Sequence, residues 1–371
     1  MAIPGLSSVH DALSDDKKLK IIFISRAFPP VVGGIEKQNF ELSQALGKIS
    51  NVSLIANVRG KSFLPAFFVT CFFKALYRAP CTDVILLGDG VLAPVGWLLR
   101  LFTGRPVSAV VHGLDITYKN VLYQRIWVRF CLARLDRLFA VGNETIRQAQ
   151  ARGIEGTKCR FIPNGVSLME TAPLLDDEST RIQRKADQFY VLTLGRLVER
   201  KGVEWFVTNV VSGLPEHVHY WIAGDGPNRT DIELAVSCLT DPSRVTVFGP
   251  VSDAEKAALL EQADLFVQPN IPITGDMEGF GLVVLEAACA GMPVVASRLE
   301  GLVDAVTDGV NGVLVESGNV EEFISAIGGF AVDPGKSREF GERARDYTLT
   351  HCRWDDIAKT YRDELEGLVE R

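Results

Sequence analysis

Glu278-Gly-Phe-Gly-Leu-Val-Val-Leu-Glu286 sets two carboxylates around a Gly-rich entry into an apolar segment. Gly279 and Gly281 let a ligand come close to the backbone. A helix beginning near Phe280 offers unpaired N–H groups and the positive end of its dipole to an anion, so Phe280, Gly281 and Leu282 form a candidate phosphate cradle. At ~1.5 Å per residue the two acids lie roughly 10 Å apart along the element, too far to share a proton. Carboxylates so separated are better placed to accept hydrogen bonds from two sugar rings than to act as a catalytic dyad. A ligand with hydroxyls on both sides of a phosphate fits, and a nucleotide sugar has that form. The competing reading is a helix N-terminal charge and one solvated glutamate.

Arg196 and Lys201 follow the apolar run Tyr190–Leu194 in Gly195-Arg-Leu197 and Lys201-Gly202. Two cations five residues apart at a strand's carboxyl end can grip a diphosphate, the guanidinium by its planar fork and the ammonium as a point charge. Gly33 and Gly34 fall between the first strand-like run and its helix, where backbone N–H groups can approach a phosphate or transferred sugar from the opposite side. His112-Gly-Leu-Asp115 ends another such run, and an imidazole there can donate to a sugar hydroxyl or a developing charge. Solvated cations, a plain loop and a structural histidine are the ordinary alternatives. Asp-x-Asp occurs nowhere, so the usual acidic pair for holding Mg²⁺ or Mn²⁺ on a diphosphate is missing, and neither metal nor cofactor is expected. GxGxxG is absent from the first loop, and Gly224-Asp-Gly226 lacks the third glycine of a dinucleotide fingerprint.

Strand-like and helix-like segments alternate from Lys20 onward, the pattern of parallel α/β sheets. Lys20–Ser25, Val52–Asn57, Asp83–Leu87, Val107–His112 and Leu138–Val141 read as buried strands. Composition turns polar around Ser167 to Gln188, a linker. Tyr190–Leu194, His219–Ala223, Val245–Phe248, Leu265–Gln268, Pro293–Ala296 and Gly312–Val315 form a second series, and Trp354 to Leu368 an amphipathic helix. Two Rossmann-like units result, with ligands expected beyond the carboxyl ends of their strands.

The chain has 371 residues and is 47% hydrophobic, enough for two cores. Seven cysteines without CxxC spacing point to neither a disulfide framework nor a zinc site, and a reduced cytoplasmic setting follows. The polar first eighteen residues do not read as a signal peptide, and the apolar run Ser62 to Tyr77, broken by Lys74, is too short to span a bilayer. Net charge is −7, but residues 1–165 carry 21 Lys+Arg against 11 Asp+Glu and the rest 18 against 35. The basic half is drawn to anionic surfaces, for which a bilayer is a better candidate than nucleic acid because no nucleic-acid motif is present.

Gly33-Gly34-x-Glu36, His112-Gly-x-Asp115, Ile162-Pro-Asn164-Gly165-Val166, Gly195-Arg-Leu197 with Lys201-Gly202, Ala223-Gly-Asp-Gly-Pro227 and Glu278-x7-Glu286 stand in one order along the chain. Together they resemble family 4 retaining glycosyltransferases of the GT-B fold, from about Lys20 to the terminal helix. The resemblance implies an α/β architecture of two Rossmann-like domains facing across a cleft. Its divisions would be a flexible lead (1–18), an acceptor-binding domain (19–170), a linker (171–188), a nucleotide-sugar domain (189–352) and a helix returning to the first domain (353–371). Catalytic roles would fall to His112 beside the reacting carbon, Arg196 and Lys201 on the donor diphosphate, and Glu278 on the hexose. Glu286 would hold the ribose, Gly34 would approach the phosphates, and the chain through Pro250 and Val251 would contact the base. Gly33, Asp115, Asn164 and Gly224 complete the expected binding set.

The activity so implied is metal-independent transfer of a hexose from a UDP- or GDP-sugar to a glycan or lipid-linked acceptor, in bacterial surface polysaccharide or glycolipid assembly. Double displacement needs a nucleophilic carboxylate ~5 Å from a partner acid, so a front-face, ion-pair-like transfer is the expected route. Lys61 to Arg78 puts five phenylalanines between flanking cations, which suits either contact with an anionic membrane or buried packing. Arg125, Arg129, Arg134 and Arg137 would widen that basic face. The alternatives are a nucleotide-sugar 2-epimerase, which needs no acceptor, and a nucleotide-sugar-binding protein without turnover. Localisation is expected to be cytoplasmic, with peripheral membrane contact.

Overall fold

The computed structural model describes residues 18–31, 33–167 and 181–370. Nearly all of the expected lead and most of the expected linker lie outside them. Among the described residues, twelve strands form two parallel six-stranded sheets. The first takes β1 (Lys20–Ser25), β2 (Asn51–Ala56), β3 (Val84–Leu87), β4 (Val107–Val111), β5 (Arg137–Ala140) and β6 (Cys159–Phe161), in the order β2-β1-β3-β4-β5-β6. The second takes β7 (Phe189–Leu194), β8 (Val218–Ala223), β9 (Val245–Gly249), β10 (Leu265–Gln268), β11 (Val294–Ser297) and β12 (Val313–Val315), in the order β12-β11-β10-β7-β8-β9.

Both faces of each sheet are covered, which is why the strands read as continuous apolar runs. In β1, Ile22 and Ile24 enter one core cluster while Ile21 and Phe23 enter another on the opposite face. In β8, Val218, Tyr220 and Ile222 alternate in the same way with Trp221 and Ala223. Strand order reverses between β1 and β3 in the first sheet and between β7 and β10 in the second. Such switch points leave a crevice beyond the strand ends. The loops at these places contain Gly34 and Asp89 on one side, and Lys201 and Glu278 on the other.

The terminal helix, Trp354–Val369, packs on the helix Gly34–Ile49 of the first sheet. It buries Trp354, Ile357, Ala358, Tyr361, Leu365 and Leu368, an i, i+3, i+4, i+7 stripe in which each large side chain contributes about 1.5–3 kcal/mol. Tyr361 meets Phe139 edge-to-face at 5.0 Å. The same core cluster takes in Phe280 and Leu285 from the second half, so the two halves share one apolar seam.

β6 has no counterpart in the expected strand set. It is a three-residue edge strand whose central Arg160 hides it from an apolar-run reading. The helix expected near Phe280 runs instead over Leu282–Cys289, because Gly281 at φ 87° has a left-handed backbone that a helix cannot continue through.

Candidate functional site

Two helix N-termini face each other in the crevice. Gly34 opens the first, and a Cβ placed on it would sit 3.9 Å from Leu282 Cδ1 at the start of the other. Their unpaired N–H groups and positive dipole ends are thereby brought near one another. Close by, the backbone of Gly279 rests on the His112 carbonyl, where a Cβ would stand 2.2 Å from the oxygen. Asn143 donates from N and Nδ2 to the Asp304 carboxylate at 2.7 and 2.6 Å, tying the first half to the second at the same level.

Lys201 and Glu278 are directly paired. Lys201 sits on a short turn after β7, held there because Gly202 adopts φ 64° and presses on the Pro269 carbonyl, which a Cβ would approach to 1.9 Å. Its Nζ lies 2.6 Å from Glu278 Oε2, to which Arg200 also donates at 2.7 Å and Asn270 Nδ2 at 3.2 Å. Burial would raise the Glu278 carboxyl, but Lys201 and Arg200 overcome it and bring it down to about 2. Burial also lowers the Lys201 ammonium, and Glu278 opposes that loss. All three donors fall on Oε2.

Glu286 is held from both halves. Lys37, on the first helix, reaches Oε1 at 2.5 Å, and Lys256 reaches Oε2 at 2.6 Å. Burial works against its charge, while Lys256 and Lys37 keep its pKa below the ordinary value. Lys256 stands on the helix Asp253–Gln262, which Ser252 and Glu255 cap reciprocally; Val251, half-buried, immediately precedes the cap.

Arg196 is exposed two residues past the end of β7, and among the described residues it carries no ion pair. Gly224 supports its loop: the backbones of Gly224 and Gly195 touch, and Leu197 N donates to the Asp225 carbonyl at 2.9 Å. Among the described residues there is no group of three His, Cys, Asp or Glu able to hold a metal ion.

Residues 188–333 match the family described as glycosyl transferases group 1, and residues 37–165 match the glycosyl transferase 4-like domain. The chain is a family 4 glycosyltransferase of the GT-B fold. A GDP-mannose-dependent alpha-(1-6)-phosphatidylinositol monomannoside mannosyltransferase of Mycolicibacterium smegmatis is 29% identical over 83% of this chain and 82% of its own. The lipopolysaccharide core biosynthesis glycosyltransferase LpsE of Rhizobium meliloti is 31% identical, over 50% of this chain and 52% of that one. HepE of Anabaena, solved with UDP-glucose, superposes with a TM-score of 0.75 over 94% of this chain and all of its own, at 21% identity. Like its family, this glycosyltransferase takes a nucleotide-sugar donor.

The remaining expected residues of the glycosyltransferase occupy different settings. His112 is half-buried at the end of β4, its Nε2 3.0 Å from the Gly88 carbonyl. Asp115 accepts from the N–H groups of His112 and Gly113 in its own turn and of Gly90 after β3, at 3.0 Å each, so it positions the histidine turn rather than offering a free carboxylate. Asn164 is buried at the crossing between the halves, beside Gly165, which packs on the Trp354 ring, and Val166, whose N donates to the Cys352 carbonyl at 2.8 Å. Gly33 caps the first helix in extended backbone.

Lys37, Arg200, Lys256, Asn270 and Glu300 were not signalled by the motifs. Arg200 directly precedes Lys201, and Asn270 lies just past β10, where strand-end position is the available signal. Glu300 has no such signal. It accepts the N–H of Glu278 at 2.6 Å from a left-handed backbone at φ 48°. Burial raises its carboxyl to about 7, opposed by that hydrogen bond and reinforced by the charge of Glu278.

Proposed function

We propose that this glycosyltransferase moves a hexose from a UDP- or GDP-sugar to a glycan or lipid-linked acceptor, with retention of anomeric configuration and without a metal ion, in bacterial surface polysaccharide or glycolipid assembly. The observation that carries the reading is the meeting of the Gly34 and Leu282 helix starts, with the Lys201–Glu278 pair four residues before Leu282. A diphosphate at that point receives N–H groups from two directions and two cations from a third, which replaces the charge a metal would supply. In the proposed division, residues 19–170 bind acceptor and 189–352 bind donor.

Glu278 keeps Oε1 for a hexose hydroxyl, since its cations gather on Oε2. Both oxygens of Glu286 hold lysines, so the ribose diol exchanges with the Lys37 ammonium as donor enters. Heterolysis of the C1–O bond to the diphosphate leaves an ion pair, and the acceptor oxygen adds to C1 from the same face. Its proton passes to the departing diphosphate, whose negative charge Arg196 and Lys201 stabilise. His112, on its Asp115-braced turn, stands on the sugar side.

A thermal-shift series with UDP, GDP, ADP and their hexose conjugates tests the reading. UDP or GDP should raise the unfolding temperature more than ADP, and EDTA should change neither the shift nor the turnover. A strict Mn²⁺ requirement would contradict the proposed neutralisation of the leaving group. The mannosyltransferase of M. smegmatis, by its name, uses GDP-mannose and a phosphatidylinositol mannoside, which supports placing GDP among the donors and a lipid among the acceptors.

Membrane contact is proposed for the outer face of the first half. The helix Leu64–Arg78 buries Phe67, Cys71 and Ala75 and turns Val69, Phe73 and Tyr77 outward, the last 88% exposed. Phe72 packs on Phe102 of the helix Ala93–Thr103, which also exposes Leu101, and Trp97 of that helix packs on Phe130. Lys74, Arg78 and Arg134 border this apolar strip. Arg137 does not join it: as the first residue of β5 it is 4% exposed and ion-paired with Glu364 of the terminal helix at 3.7 Å. No described helix is long and apolar enough to cross a bilayer. Flotation with liposomes containing anionic lipid should fall sharply for Phe73→Ser/Tyr77→Ser, and binding indifferent to both lipid charge and these side chains would end the proposal.

A further inference from the structure

Beside the His112 turn lies an open groove of about 930 Å³, bordered by Tyr118, Lys119, Gln124, Arg125, Arg129 and Arg152. It begins where that turn ends, since Thr117 and Tyr118 form its near wall. Lys119, on the groove's wall, lies along Gly275 on the loop leading to Glu278, so one of its lining residues touches the loop that carries the candidate hexose ligand. The size suits a phosphorylated headgroup or sugar.

Its electrostatics differ from those of the crevice. Lys201 and Arg200 are neutralised by Glu278, and Lys37 and Lys256 by Glu286. In the groove no carboxylate lines the wall, and none of its four cations forms an ion pair among the described residues. Arg152 is fixed by neutral partners alone, Nε donating to Gln124 Oε1 at 3.2 Å and Nη1 to the Gln148 carbonyl at 2.9 Å and to Gln148 Oε1 at 2.7 Å. Burial and the adjacent Arg129 both lower its pKa, the sign of a cation held without a counter-charge. Thr117, buried and lining the same groove, has a hydroxyl without a hydrogen-bond partner among the described residues.

We infer that the groove of Lys119, Arg125, Arg129 and Arg152 binds a phosphoryl group carried by the acceptor. Planar guanidinium forks match phosphate oxygens, and several unneutralised cations favour a dianion or diester over a neutral sugar. The inference rests on the transferase reading, whose acceptor it specifies. Val121, 84% exposed on the groove's edge, and the adjoining Leu122, 62% exposed, suit a phosphate borne on a lipid; a water-soluble sugar phosphate would use the same cations.

The test compares wild type with Arg125→Glu/Arg129→Glu, both exposed positions, and with Arg152→Gln. Probes are glycerol 3-phosphate by calorimetric titration at low salt, and vesicles of phosphatidylglycerol in phosphatidylcholine. Charge reversal should weaken glycerol 3-phosphate binding by about tenfold or more and Arg152→Gln by less, while the thermal shift with UDP or GDP is retained. Displacement of glycerol 3-phosphate by the vesicles supports a lipid source, and binding untouched by vesicles supports a soluble one. Unchanged affinity in the charge-reversed variant, or no binding to wild type while the nucleotide shift persists, overturns the groove assignment alone. Absence of any nucleotide shift in wild type overturns the transferase reading itself.

Discussion

Arg196→Ala is expected to lower kcat by about 10²–10³-fold at an unchanged unfolding temperature, and Lys201→Ala to lower both. The difference follows from where the two charges stand. Arg196 is exposed and without an ion pair, so its removal leaves nothing unsatisfied in the resting protein. Its charge would act only on the diphosphate that develops as the sugar departs, and interactions made chiefly in the transition state appear in kcat. Lys201 is 8% exposed and has a second duty, because its Nζ at 2.6 Å holds the buried Glu278 carboxylate. Truncation leaves that carboxylate to Arg200 and Asn270, a loss on the order of 1–3 kcal/mol in stability. Initial rates at saturating donor, with thermal unfolding of the same samples, separate the two effects. Near wild-type turnover in both variants, with the fold intact, would remove the cations from leaving-group stabilisation.

The fold was legible because parallel sheets covered on both faces write themselves as apolar runs, and most of those runs are followed directly by a turn residue. β6 escaped because an edge strand of three residues with Arg160 at its centre carries no such run. Of the site, what was legible was position along the chain: Lys201 and Glu278 follow strands that flank the second switch point, and the structure brings them into contact. What was not legible was partnership. Glu286 reads as a ribose ligand, yet its lysines come from residue 37 and residue 256, separated by most of the chain. Asp115 reads as a substrate-binding residue, yet a carboxylate two residues past a glycine turn satisfies its oxygens on nearby N–H groups before any ligand arrives. Phe73 and Phe67 sit in one sequence cluster, and only helical phase decides that one is exposed and the other buried.

Stability of the second half is expected to depend on pH in opposite senses through two neighbouring glutamates. The Glu278 carboxyl titrates at about 2 in the folded chain against an ordinary 4.5, so between those values the unfolded chain binds more protons. Its stabilisation is fully present above pH 4.5 and falls as pH drops toward 2, by about 3 kcal/mol over the window. Glu300 titrates at about 7 when folded, so between 4.5 and 7 the folded chain binds more protons, and stability declines as pH rises through that window. The two shifts share one contact, since the Glu278 N–H donates to Glu300 Oε2 at 2.6 Å and the two charges repel. Urea midpoints measured from pH 2.5 to 8.5 should therefore pass through a maximum near pH 5. Glu300→Gln should flatten the alkaline side and leave the acid side in place, whereas Glu278→Gln should flatten the acid side and, with one repelling charge gone, soften the alkaline side as well. An unaltered profile in both variants would mean that these carboxyls are paired and buried without governing the proton balance of folding, and the electrostatic core of the site would have to be sought in Glu286 and its two lysines instead.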